Sequence, residues 1–375
     1  MRIATSTAAL LFAVPHGGPP ALAPRGSLLA MKLQQPQRPP APAAASDPAS
    51  DWGGLPAAIA ASKCGAINQQ LVKAADADVL LGLVAKNQKQ FNAVNAATAL
   101  HRIAACLKRD RAQRDRVLRD ERFLALIDEA VARASQCNPR SVSDIIWACA
   151  TLKYWPPQML KPLLTQVAEH LQRSAFEAQH LSLIAWGLAV LECKPVKLLE
   201  LMEQSTIKQL GAFSTQNCAN LLWGFAKLGY QPTALLPRIT QRLLTEQGFL
   251  AQFKPVELTD AAFALALLGT VDEQGALMHA IAARAGPEAL LDRFSSRQLV
   301  TLTWSFARLN LRPAPLEPWV EQIAAAHGRQ PLLAQDQRNI EVALKRFELS
   351  SEWLKPPKPD EDEAAAEAAA AAGGA

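Results

Sequence analysis

The chain has 375 residues, half of them apolar, and a formal net charge of +5. That is ample apolar material for a continuous core, and the modest basic bias permits an anionic partner without requiring one. Only two tyrosines occur and period-two runs of β-branched residues are missing, so sheet architectures are not expected.

Residues 1–46 contain Arg2, Arg25, Lys32 and Arg38 but no Asp or Glu, and are rich in Ala, Pro, Gly and Ser. An acid-free composition of this kind resembles an organelle transit peptide, outside the folded part. The apolar run Ala8 to Val14, then Ala21-Leu22-Ala23-Pro24 and Arg25-Gly26-Ser27, resembles the bipartite leader of proteins sent to plastids of secondary origin, with Leu22 where an aromatic is usual. The expected location is the plastid stroma, with the mitochondrial matrix as the alternative and a plain disordered tail as a third reading. No apolar run approaches the ~20 residues needed to span a bilayer.

Residues 47–90 are expected to form a linker and N-terminal capping helices. Next comes a basic stretch: Lys108, Arg109, Arg111, Arg114, Arg116, Arg119 and Arg122 against Asp110, Asp115, Asp120 and Glu121. Taken as one helix, it places Lys108, Arg111, Arg114 and Arg122 on much of one face, where they are candidates for phosphate contact. A solvated helix with internal ion pairs is the alternative.

From residue 91 to 349 one pattern recurs, an anchor followed ten residues later by Trp or a substitute. FSTQNCANLLWGFAKLG from Phe213 and FSSRQLVTLTWSFARLN from Phe294 are the clearest copies. Others start at Phe91, Cys137, Phe176, Phe253 and Ala334. The Trp-equivalent positions Trp147, Trp186, Trp223, Phe263, Trp304 and Leu344 are 39, 37, 40, 41 and 40 residues apart. Such a period predicts an all-α fold, a right-handed α-solenoid of about six to seven helix-turn-helix repeats of 37–41 residues. Gly229 followed by Pro232, and prolines after Leu152, Leu191 and Leu309, punctuate the helix pairs. Residues 350–375 are expected to be a disordered Pro/Lys and acidic Ala-rich tail.

Counting from each anchor, positions five, eight, nine, twelve and fifteen form an apolar stripe, as Cys218, Leu221, Leu222, Phe225 and Leu228 show. The recurrent Trp is expected to pack between helices. Positions four, seven, eleven and fourteen share the other side of the helix. Position four runs Asn95, Ser141, His180, Asn217, Glu257, Gln298, Arg338, and position seven runs Thr98, Asp144, Leu183, Asn220, Asp260, Thr301, Glu341. Framework positions repeat while these vary and stay mostly polar. The two readings are a solvated face and an array that contacts one base per repeat, since these side chains can hydrogen-bond base edges. Lys227 and Arg308 at position fourteen are further phosphate candidates.

The motif FxxQxxANLLWGFAKLGxxP, from Phe213 to Pro232, resembles the octotricopeptide-repeat proteins, helical repeats of algal organelles related in style to the FAST-kinase-like proteins that end in a RAP module. The family's Pro-Pro-Pro-Glu-Trp signature is echoed only by Leu316-Glu317-Pro318-Trp319 and Ser351-Glu352-Trp353. The resemblance implies sequence-selective binding of single-stranded organelle RNA, in transcript stabilisation, processing, splicing or translation, with RNA-processing or ribosomal proteins as further partners. No nuclease-like module is expected after Leu349. A HEAT- or armadillo-like protein-binding scaffold is the alternative function. No metalloprotease, phosphate-loop or nucleophile-elbow motif occurs, so neither catalysis nor a cofactor is expected. The six cysteines, without a CxxC pair, are expected to be free core thiols.

Overall fold

The computed structural model describes residues 63–269 and 275–354; the leader at 1–46 and most of the tail lie outside the described residues. Among the described residues there are sixteen α-helices and no strand. In chain order they are α1 (Lys63–Lys73), α2 (Ala77–Asn87), α3 (Ala93–Leu107), α4 (Arg111–Val117), α5 (Glu121–Ala132), α6 (Pro139–Leu152), α7 (Pro157–Gln172) and α8 (Ala178–Val190). They continue as α9 (Val196–Lys208), α10 (Thr215–Lys227), α11 (Leu236–Thr245), α12 (Pro255–Leu268), α13 (Ala276–Arg284), α14 (Ser296–Arg308), α15 (Leu316–Arg329) and α16 (Ala334–Arg346).

Helices α1, α3, α6, α8, α10, α12, α14 and α16 pack one on the next in a row. A second row lies beside it, in which α2 meets α5, α5 meets α7, α7 meets α9 and α11 meets α13. This is a repeat-like, all-helical arrangement compatible with an α-solenoid, in which each unit buries its apolar stripe against its neighbours. Cys218, Leu221, Leu222 and Phe225 are fully buried, as the stripe requires.

The local cause of the repeat is a start signal and a stop signal. Short 3-10 turns at 88–90, 134–136, 210–212, 250–252 and 291–293 deliver the anchors Phe91, Cys137, Phe213, Phe253 and Phe294 in extended backbone, buried beneath the helix that follows. The next residue is the N-cap: Asn92, Asn138, Ser214 and Ser295 each accept from the backbone N–H three residues on. At position sixteen the chain turns through left-handed φ, at Lys153, Glu192, Gly229, Gly269, Asn310 and Glu348. In five of these units the following N–H closes back on the position-twelve carbonyl, as in Tyr154 to Cys149 and Leu349 to Leu344.

That stop signal corrects the register of the last unit. Helix α16 starts at Ala334 behind N-cap Leu333, as α14 starts at Ser296 behind Ser295, so the unit's anchor is Leu332 and not Ala334. Left-handed Glu348 lies sixteen residues after Leu332, as in the other units. Val342 therefore takes the Trp position, and Leu344 matches Phe306. The weak apolar character at the start of α16 hid the two-residue shift.

A clamp within four of the units was not visible in the sequence. A long side chain of the second helix donates to carbonyls of its own anchor turn: His170 to Cys137 (2.8 Å), Gln209 to Phe176 (2.9 Å), Arg242 to Phe213 (2.8 Å) and Gln322 to Phe294 (3.2 Å). The residue is His, Gln, Arg and Gln in turn, at 28 to 33 residues from the anchor, so no fixed motif marks it.

Candidate nucleic-acid interface

Position four is occupied by local chemistry in most units. The side chains of Asn95, His180, Asn217, Glu257 and Gln298 each accept from the N-cap backbone N–H, at 2.8–3.2 Å. This is the reciprocal half of a capping box, which needs a polar acceptor of varied kind at that site. The polarity of position four thus has a folding cause that is independent of any ligand.

The face formed by positions four, seven and eleven is not an open surface. It turns toward the first-row helix of the preceding unit. Asn217 Nδ2 donates to Ser182 Oγ across this seam at 3.1 Å, and Asn95 Nδ2 donates to the Cys64 carbonyl at 2.9 Å. A Cβ on Gly224 would lie 2.7 Å from the Ala185 carbonyl group, which shows how closely α10 approaches α8. Asn95, Thr98, Ser141, Asp144, Asn217, Asn220 and Glu257 are buried, whereas His180, Asp260, Gln298 and Thr301 are half-buried. Arg338 and Glu341 are exposed because the shifted register gives positions four and seven of the last unit to Asp336 and Asn339, both buried. Asp336 pairs with Arg297 at 3.2 Å.

At the mouth of the seam, four consecutive units share a cleft with about 80 Å³ of room. Of the twelve expected readers it brings together Asp144 from α6, His180 from α8, and Asn217 and Asn220 from α10. The others do not line it. Its walls also carry residues the sequence had not marked: Arg140, Gln179 and Gln216, all at position three. They are polar in three consecutive units, and that run was the signal available for them. Trp147 also lines it, and its ring lies 4.6 Å from that of His101, the position-ten residue of the preceding unit and a further lining residue.

Burial dominates the electrostatics of the cleft. It lifts the Asp144 carboxyl to about 7, against the opposing pull of Arg140, whose Nε is 3.8 Å from Oδ2. It also lowers His180, with Arg140 acting in the same sense and Glu177 opposing. Asp260, at position seven two units beyond Leu183, is pushed up to about 8 by burial and by neighbouring Glu257.

The basic candidates separate. The stretch from Lys108 to Arg122 is not one helix: Asp110 and Asp120 cap α4 and α5, accepting from the N–H groups of Gln113 and Arg122, and the chain breaks between them. The four cations expected on one face therefore do not share one. Arg114 is held by Asp115 at 3.1 Å and Arg122 by Asp120 at 2.7 Å, while Lys108 and Arg111 are exposed. Arg308 donates from Nε to the Ala266 carbonyl at 2.8 Å and lies 5.6 Å from the Trp304 ring. Lys227 Nζ is 6.0 Å from the ring of Trp223. Trp147, Trp186, Trp223 and Trp304 are all buried, as packing residues between units are.

All six cysteines are free thiols, three of them buried. Among the described residues no helix is long and apolar enough to cross a membrane. No protein-family model matches the chain, and no curated protein matches it.

Proposed function

We propose that the chain forms a right-handed α-solenoid of six to seven helix-turn-helix units that binds single-stranded RNA with base selectivity. The observation that carries this reading is the cleft lined by α6, α8 and α10, where side chains able to hydrogen-bond base edges come from three successive units beside Trp147. Reading of one base per unit by two or three side chains is the mode in which helical repeats recognise a strand whose bases are unstacked. Exposed Lys108 and Arg111 supply sequence-independent attraction for the backbone.

The resemblance of the 213–232 motif to octotricopeptide-repeat proteins and the acid-free composition of residues 1–46 support an organelle role, in the plastid stroma, on transcript stability, processing or translation. The chain acts as a binder; cleavage of a bound transcript would be the work of a partner protein. Crosslinking the protein to RNA in its organelle, followed by sequencing of the recovered fragments, tests this. Enrichment of a short single-stranded sequence is the expected result. Recovery of a protein partner with no enriched RNA overturns the reading in favour of a protein-binding scaffold.

A further inference from the structure

Position three separates from positions four and seven once the helices are packed. Arg140, Gln179 and Gln216 hold it in three successive units and all line the cleft; Gln179 is exposed, and Arg140 and Gln216 are half-buried. Position four is turned inward and occupied. Asn217 accepts from the Ser214 N–H and donates to Ser182, and His180 Nδ1 accepts from the Glu177 N–H. Position seven lies deeper, with Asp144 and Asn220 only 7% and 6% exposed. One step back along a helix turns a side chain by about 100°, which here carries it out of the seam to the mouth of the cleft. The run of accessible polar residues stops at these three units. Position three is Val94 in the first unit and Val256 in the fifth, Arg297 in the sixth is held by Asp336 at 3.2 Å, and Gln335 in the last is buried.

We propose that position three is where this chain contacts bases: Arg140, Gln179 and Gln216 each meet the edge of one base, so that three consecutive nucleotides of a single strand are read across α6, α8 and α10. The lining favours a base over a phosphate. It carries one Arg and no Lys, with Glu177 and Asp144 among the same residues, so a phosphodiester gains little attraction there while a neutral base edge is not repelled. A carboxamide donates and accepts and a guanidinium donates, so both kinds of side chain pair with base edges. The seams between these units are also close. Helices packed in a row stand ~8–10 Å apart, but these meet over glycine at position eleven. A Cβ on Gly187 would lie 2.6 Å from Ile146 Cγ2, and one on Gly224 would lie 2.7 Å from the Ala185 carbonyl group. The second, fifth and sixth units have Ala148, Ala264 and Ser305 at that position. The two seams that the array crosses are thus the ones where glycine permits close approach, which brings the step between units nearer to that between bases of an extended strand.

This inference rests on the RNA reading above, and the test separates the two. The full chain is mixed with a library of randomised single-stranded RNA at low salt, and the bound fraction is sequenced for wild type, Gln179→Ala and Gln216→Ala, with a melting curve for each protein. The expected result is an enriched core of about three contiguous nucleotides. Gln179→Ala should flatten the preference at the middle one and Gln216→Ala at one end, each lowering affinity for the best sequence about tenfold, toward that for a scrambled one. Melting temperatures should stay level, since neither side chain is buried in the core. If one variant does not fold, the other still decides. A core much longer than three, a preference that both variants keep, or binding with no enriched sequence overturns base contact at position three and leaves RNA binding standing. Failure of all RNA to bind overturns both.

Discussion

Asn217 donates from its side-chain amide to the Ser182 hydroxyl of the preceding unit at 3.1 Å, while its Oδ1 accepts from the backbone N–H of Ser214. One residue thus caps its own helix and bridges to the preceding one. Asn217→Ala removes both bonds and leaves Ser182 buried without that donor. It should lower stability by about 1–3 kcal/mol, read as a lower urea midpoint at unchanged m-value. A variant as stable as wild type would mean that the capping and the bridge contribute nothing.

The seam between α8 and α10 closes over Gly224. An added methyl would sit 2.7 Å from backbone atoms of Ala185, so Gly224→Ala forces the helices apart. Alanine is the better helix former by ~1 kcal/mol, yet overpacking costs ~1–3 kcal/mol, and the net should be a loss. At Gly187 the closest atom is the Ile146 Cγ2 methyl at 2.6 Å, on a fully buried β-branched side chain of α6 that is stiff at χ1, with the Ile146 carbonyl oxygen at 3.3 Å. Gly187→Ala should therefore also be a net loss. Thermal unfolding of the two variants in parallel checks both.

Glu192 and Glu348 hold the left-handed turn that Gly229 holds in its own unit. A left-handed conformation costs a non-glycine residue about 1 kcal/mol, partly offset by the greater freedom of glycine in the unfolded chain. Glu192→Gly should raise the melting temperature by a few degrees or leave it level. A marked fall would show that the glutamate side chain has an unrecognised structural role.

Stability should fall as pH rises from about 4 to about 8. Asp144 is raised from 3.8 to about 7 and Asp260 from 3.8 to about 8, so in that window the native state binds more protons than the unfolded chain. The full benefit is present below the unfolded value and is gone above the folded value. The groups around Asp144 are Arg140 on its own helix, Glu177 and His180 toward α8, and His101 on α3. His180, lowered by burial, acts in the opposite sense below its ordinary value of 6.5 and offsets part of the fall there, and carboxyls held low by arginines, Asp120, Glu246 and Glu317, do so below their unfolded values near 4. Asp144→Asn should flatten its share of the slope in urea titrations between pH 5 and 8, on the order of 2 kcal/mol after allowance for relaxation of the site.

Lys108→Ala and Arg111→Ala should weaken all RNA sequences alike and reduce the salt dependence by about one charge each. Arg114→Ala should act on stability instead, because its guanidinium is mostly buried against Asp115. Salt titrations by fluorescence anisotropy, with a melting curve for each variant, distinguish the two effects.

The helical period, the anchors and the buried tryptophans were legible because they are local or periodic. A residue that must pack the same way in every unit is the same residue or its near kin, as Phe91, Phe176, Phe213, Phe253 and Phe294 are. The polar positions were legible as a pattern but not in meaning. A varied polar series looks the same whether it faces a base, solvent or a backbone N–H, and the capping boxes at Asn95, His180, Asn217, Glu257 and Gln298 show that the last of these suffices. Register at α16 was lost because Leu332 stands where Phe is usual and Val342 where Trp is usual, and the N-cap at Leu333 with the left-handed turn at Glu348 fixes it.

Sequence by itself thus determined that the chain is helical and repeat-like, since each unit's apolar stripe can be buried only by another unit of the same kind. Tertiary structure decided which polar residues stand together. Asp144, Gln179, His180 and Asn220 come from three helices, and their meeting depends on how closely α6, α8 and α10 approach, a distance set by small residues such as Gly187 and Gly224 that carry no chemistry of their own.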